Sequence, residues 1–194
     1  MNIKTGLRIL GAIALGVSSW ALAGPPTPEM LAYGCAGCHG YDGASVGPSI
    51  PGLAGQQKDA FVIAMKEFKS GERHSTVMDR IAKGYSDADI EAMAVFFARQ
   101  PRFKTEQNIA PEKVAKGAKV AEKHCAKCHT EDGRTAKEEA GTPIMAGQWL
   151  QYLQFQAQDY KSGERKMTKN MANRVKLLSA EEMDDLAHFY ASVK

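Results

Sequence analysis

Apolar side chains recur at helical spacing along the 194-residue chain, and the stretches that carry them come in matching pairs. Phe61, Met65 and Phe68 share one face of a segment that begins near Gln56 and stops at Gly71. Leu150, Leu153, Ala157 and Tyr160 repeat the pattern ahead of Gly163. A glycine directly after the last periodic residue is a helix stop. A second pair places Ile90, Met93, Ala94 and Phe97 behind Ser86-Asp87-Ala88-Asp89, and Met183, Leu186 and Tyr190 behind Ser179-Ala180-Glu181-Glu182. Serine ahead of acidic residues caps a first turn. A further helix opens at Thr27-Pro28-Glu29, with Thr27 as N-cap and Pro28 at the first helical position, and is expected to carry a Cys pair at its far end. Its partner opens at Pro111-Glu112-Lys113 and runs through Val114, Ala118 and Val120 to His124. The pattern predicts the same short run of helices twice, with no strand-rich segment.

Polar punctuation repeats too. Pro51-Gly52-Leu53-Ala54-Gly55-Gln56 matches Pro143-Ile144-Met145-Ala146-Gly147-Gln148, and Lys69-Ser70-Gly71-Glu72-Arg73 recurs as Lys161-Ser162-Gly163-Glu164-Arg165. The offset between halves grows after the second Cys pair, which puts a small insertion within Thr130 to Thr142. Arg99 to Ala110 holds Pro101 and no apolar period, so it reads as a linker. The expected division is a leader over 1–23, a first domain over 24–100, a linker over 101–111 and a second domain over 112–194. Domains this small bury little surface unaided.

A large apolar cofactor would complete each core, and the cysteines name it. Cys35-Ala36-Gly37-Cys38-His39 recurs as Cys125-Ala126-Lys127-Cys128-His129, using every cysteine in the chain. C-x-x-C-H attaches c-type heme: two thiols one turn apart form thioethers with the two vinyl groups, and the adjacent imidazole reaches the iron. A zinc ribbon would set its Cys pairs roughly 15–20 residues apart, and a thioredoxin-like pair belongs beside a βαβ pattern. Neither fits, so two heme c groups and electron transfer are expected.

Lys4 and Arg8 precede an apolar run from Ile9 to Val17 and the A-x-A pattern Ala21-Leu22-Ala23, a secretory signal cut after Ala23. The run is shorter than the ~20 residues of a spanning helix, so stable membrane insertion is not expected and the mature chain is read as periplasmic. Losing those two cations lowers the net charge from +3 to +1. Heme propionates then leave the holoprotein near neutral or mildly acidic, and nothing argues for a nucleic-acid partner.

Each iron needs a ligand opposite its histidine, and methionine suits an electron carrier because it raises the potential. Met78 stands eight residues before Ser86, and Met171 eight before Ser179; Met167 competes with Met171. Met65, Met93 and Met183 sit on apolar helix faces and read as core. His74, His124 and His188 are weaker ligand candidates, and His74 has Lys166 in its place in the second half. The carbonyls of Pro51 and Pro143 are candidates to accept from the second ring nitrogen of each proximal histidine. Arg73 and Arg165 would either neutralise propionates or serve as helix-end cations. Trp149, Tyr152 and Phe155 would pack on the second heme or in the core.

The duplicated C-x-x-C-H, the A-G-Q and S-G-E-R segments and the helix order resemble the diheme cytochrome c4 family over nearly the whole mature chain. Cys35 to Gly40, Ser45-Val46-Gly47-Pro48, Phe68 to Glu72, Met78 to Ser86, Ala146-Gly147-Gln148-Trp149 and Phe189-Tyr190-Ala191-Ser192 further resemble the cytochrome subunit of flavocytochrome c sulfide dehydrogenase. The resemblance implies an all-α fold of two tandem class I cytochrome c-like domains, each wrapped around one covalently bound heme c. It also implies thioethers at Cys35, Cys38, Cys125 and Cys128, and iron ligation by His39 with Met78 and by His129 with Met171. It implies a separate FAD-containing flavoprotein as electron donor, a soluble cytochrome c or similar acceptor, and no catalytic residue on this chain. A free-standing carrier serving a terminal oxidase is the alternative that the cytochrome c4 likeness implies.

Overall fold

The computed structural model describes residues 24–136 and 141–194. The leader over 1–23 with its cut after Ala23 lies outside the described residues, as do 137–140 inside the expected insertion.

Helix α1 (Pro28–Tyr33) starts where the Thr27 hydroxyl accepts from the Met30 N–H at 3.3 Å. It does not carry through to the thiols. It stops at Gly34, and a separate turn, α2 (Ala36–His39), holds the first Cys-His motif. Helix α3 (Lys58–Ser70) closes on Gly71, at φ 80°. The segment after it folds into a single turn, α4 (Met78–Ile81), and then α5 (Asp87–Ala98) begins at a capping box between Ser86 and Asp89. The second half replays this order with α6 (Pro111–His124), α7 (Leu150–Ser162), α8 (Lys169–Val175) and α9 (Ala180–Ser192). Helix α7 closes on Gly163, at φ 84°, and α9 opens at a capping box between Ser179 and Glu182. The only strands among the described residues form a small antiparallel hairpin, β1 (His129–Thr130) with β2 (Thr135–Ala136).

Each half packs around its last helix. In the first, α1 and α3 lie against α5, and Ile90, Met93 and Phe97 are fully enclosed. In the second, α6 and α7 lie against α9 over Val175, Leu178, Leu186 and Tyr190. The α6–α9 crossing is close enough to require glycine: a Cβ on Gly117 would stand 2.0 Å from the Asp185 carbonyl oxygen. The two buried clusters share no residue.

The insertion can be bracketed by equivalent hydrogen bonds. Gly43 O accepts from the N–H groups of Leu53 and Ala54, and Gly133 O accepts from those of Met145 and Ala146. The added residues therefore fall between Gly133 and Met145, a span that overlaps the expected window from Thr130 to Thr142.

The halves are tied by a contact made twice. Gln56 donates to Ile144 O at 2.6 Å and accepts from Ile144 N at 3.0 Å. Gln148, its equivalent, donates to Gly52 O at 3.0 Å and accepts from Gly52 N at 2.9 Å. Trp149 Nε1 donates to Ser45 O, and Tyr152 N to Pro48 O. The chain between α5 and α6 is not loose packing: Phe103 is buried, its N–H bonds Ala54 O at 2.9 Å, and its ring fills the space where a Gly52 side chain would be.

Candidate heme sites

In the first half the motif is wound so that Cys38 N and His39 N both donate to Cys35 O, at 3.2 and 2.9 Å. One turn thus separates the thiols. The ring of His39 is 92% buried, at 8% exposure, and its Nδ1 bonds Pro51 O at 2.8 Å. That bond fixes the tautomer and leaves Nε2 with a free lone pair, the state a metal ligand needs. Burial lowers the ring's pKa, and the Pro51 carbonyl, which favours the protonated ring, does not reverse it. The second motif has the same backbone bonds, Cys128 N and His129 N to Cys125 O at 3.1 and 3.0 Å. Burial likewise lowers the pKa of its ring, against the pull of the Pro143 carbonyl. Here, however, Nδ1 is buried without a hydrogen bond of proper geometry.

All four cysteines are free. Burial, and then the neighbouring thiol, pushes the Cys35 pKa up; burial does the same at Cys125. No group of three or more His, Cys, Asp or Glu converges on a common point among the described residues, which removes the donor set of a zinc site.

Methionine geometry separates the candidates. Met78 N donates to the Ser75 hydroxyl at 2.6 Å at the start of α4. Met171 N donates to the Thr168 hydroxyl at 3.2 Å, inside the first turn of α8. A hydroxyl three residues ahead therefore holds each methionine, and both side chains pack half-buried against the same apolar clusters as Cys35 and Cys125. Met167 also touches the second cluster but precedes its helix and lacks that cap. The motif, Ser75-x-x-Met78 and Thr168-x-x-Met171, was readable in the sequence as a repeat four residues long.

The remaining candidates fall elsewhere. His188 Nδ1 accepts from Ala110 N at 3.2 Å, and His74 is exposed. Arg73 stacks over the Phe68 ring at 4.5 Å and donates to Tyr152 Oη and Gln156 Oε1; Arg165 stacks over Tyr160 and donates to the same Gln156 oxygen. Both guanidiniums thus turn toward the join between halves. Trp149 and Tyr152 face the first half rather than a second-half core, and Phe155 is 41% exposed.

A buried and a half-buried histidine, paired free thiols one turn away and a capped methionine beside each cluster make a donor set that fits heme. Such a site defines a c-type cytochrome, and the chain carries it twice. Residues 114–194 match the family described as Cytochrome c. Cytochrome c4 of Pseudomonas aeruginosa is 33% identical over 137 residues, 68% of each chain. The chain belongs to the cytochrome c4 family: it is a diheme electron carrier of class I cytochrome c fold, with heme c and its iron as cofactor. The thiosulfate dehydrogenase electron acceptor of Stutzerimonas stutzeri is 28% identical over 176 residues, 84% of this chain and 80% of its own. The cytochrome subunit of sulfide dehydrogenase of Chlorobaculum tepidum is 45% identical over 69 residues, 36% of this chain and 62% of the relative. Reduced cytochrome c4 of Pseudomonas stutzeri shares the fold at a TM-score of 0.76 and 24% identity, over 86% of this chain and 97% of that one. No helix among the described residues is long and apolar enough to cross a membrane.

Proposed function

We propose that the chain is the periplasmic electron-transfer subunit of a sulfide dehydrogenase. It takes electrons from an FAD-containing flavoprotein and hands them to a soluble cytochrome c or similar acceptor. The observation that carries this reading is the 45% identity to the Chlorobaculum tepidum subunit, well above that to the longer-matching relatives. Heme c, when bound, supplies a one-electron centre in each half. Cys35 and Cys38 hold the first and Cys125 and Cys128 the second; His39 with Met78, and His129 with Met171, ligate the irons. The repeated hydroxyl cap supports Met171 over Met167.

A free-standing carrier that donates to a terminal oxidase is the second reading, favoured by cytochrome c4 matching about twice as much of the chain. The test is purification from the native host, followed by stopped-flow reduction with sulfide. A flavin-bearing partner that co-purifies and reduces the hemes on sulfide addition supports the first reading. A flavin-free protein reduced only by other donors, thiosulfate-oxidising enzymes included, rejects it. For ligation, Met171→Ala should abolish the methionine charge-transfer band of one ferric heme while Met167→Ala leaves both; the reverse outcome moves the assignment to Met167.

A further inference from the structure

We propose that each interface glutamine is a positioning residue for the proximal histidine of the opposite half: Gln148 for His39, and Gln56 for His129. The inference rests on the ligation reading above.

The Pro51 carbonyl that accepts from His39 Nδ1 belongs to the same peptide group as the Gly52 N–H. That N–H donates to Gln148 Oε1 at 2.9 Å, across a sequence separation of 96 residues. One amide plane therefore links the two side chains in a continuous row, from the Gln148 oxygen through Gly52 N–H and Pro51 C=O to the His39 ring. An amide whose N–H is engaged becomes a better acceptor at its oxygen, by roughly 10–30% per bond. Gln148 Nε2 also donates to Gly52 O at 3.0 Å, which fixes the next carbonyl and with it the tilt of the plane. The Phe103 ring blocks movement on the other side, because it lies within 2.1 Å of where a Gly52 Cβ would be. Gln148 is itself buried, at 4% exposure, so water does not compete for these bonds.

The second half has the mirrored arrangement. The Ile144 N–H shares its peptide group with the Pro143 carbonyl facing His129, and it donates to Gln56 Oε1 at 3.0 Å. The row stops short there, since His129 Nδ1 completes no hydrogen bond. Gln148 should therefore act more strongly than Gln56.

A stronger bond at Nδ1 makes the imidazole a more basic ligand, which favours the ferric iron. Removing the glutamine amide weakens that bond, so the potential of the heme in the other half rises. Gln148→Met and Gln56→Met keep side-chain volume and remove both hydrogen bonds. They are tested in the holoprotein by potentiometric titration of each heme, with the Nδ1–H resonance of each histidine followed by NMR in the reduced state. Gln148→Met should raise the potential of the N-terminal heme and move the His39 resonance upfield, with a smaller change at the C-terminal heme. Gln56→Met should do the converse, more weakly. Equal shifts of both hemes would mean general loosening of the interface and would overturn the proposal, as would no shift in either variant. His39→Ala separates the two levels of inference. If it leaves both hemes low-spin, the ligation reading fails; if it abolishes one while the glutamine variants move nothing, only the positioning role fails.

Discussion

After the first histidine comes Gly40, at φ 77°; after the second comes Thr130, at φ −80°. A Cβ on Gly40 would stand 2.3 Å from the Ala44 carbonyl oxygen, so the first half needs glycine at that turn. The second half turns differently: the left-handed conformation passes to Glu131 and Asp132, at φ 49° and 57°, and the β1–β2 hairpin forms. Two non-glycine residues in that region cost about 1–2 kcal/mol each. The same half leaves His129 Nδ1 unbonded where His39 holds Pro51 at 2.8 Å. Duplication thus preserved helices and caps while the turn beside the iron diverged, which gives two chemically similar sites different surroundings.

The contrast can be broken or sharpened by substituting equivalent positions. The largest expected effect is in the cores, at the two residues whose carbonyls accept from Gly55 and Gly147. Phe97→Ala should destabilise the holoprotein by about 3–5 kcal/mol in denaturant unfolding, because Phe97 is fully buried. Tyr190→Phe should change stability by less than about 1 kcal/mol, since the buried Tyr190 hydroxyl has the Cys125 sulfur nearby but no hydrogen bond of good geometry. Next comes the turn: Gly40→Ala should cost about 2 kcal/mol or more from the left-handed backbone and the collision with Ala44, whereas Thr130→Ala should cost only about 1 kcal/mol, for the lost hydroxyl bond to Thr135. A finding that both are silent would mean the two turns are interchangeable. Smaller again, Ser86→Ala and Ser179→Ala should each cost about 1 kcal/mol, and equally, because both capping boxes are complete.

The smallest effect depends on pH. Asp184 on α9 accepts from Lys113 and from Gln154 at 2.6 Å. Burial raises its pKa, but the Lys113 and Gln154 donors together with the nearby cation outweigh this and leave it below 3.8. A carboxyl with a folded pKa below its unfolded one stabilises the protein above the unfolded value, and that contribution disappears as pH falls through the folded pKa. Asp184→Asn should therefore lower stability by under about 1 kcal/mol at neutral pH, and the gap to the parent should close in acid below 3.8. The equivalent Glu91 pairs instead with Lys58 in an exposed bridge of 2.8 Å, so Glu91→Gln should change stability at neutral pH very little.

Local chemistry made most of this legible beforehand. The bounds of α6, the serine boxes and the glycine stops at Gly71 and Gly163 were readable because each is decided within one or two turns of chain. The Pro51 carbonyl was readable for the same reason: a short turn returns it to the histidine. The break at Gly34 was not, because the apolar spacing through Leu31 and Ala32 says nothing about where the backbone must swing to present two thiols. Helices α4 and α8 were missed because four to seven residues hold too little periodicity. Gln56 and Gln148 were visible as a repeat, yet their task depends on residues about 90 positions away. The contacts of Trp149 and Tyr152 with Ser45 and Pro48 went unread for the same reason: aromatic residues announce burial but not against which neighbour.

The doubled glutamine contact is isologous: the same two surface elements meet twice, in the way that identical subunits of a two-fold dimer meet. Joined only by that contact, two separate single-heme chains would assemble in proportion to their concentration. The segment from Pro101 to Ala110 makes the encounter intramolecular, at an effective concentration set by its own length. The spacing of the two redox centres is then the same in every molecule however dilute the protein becomes.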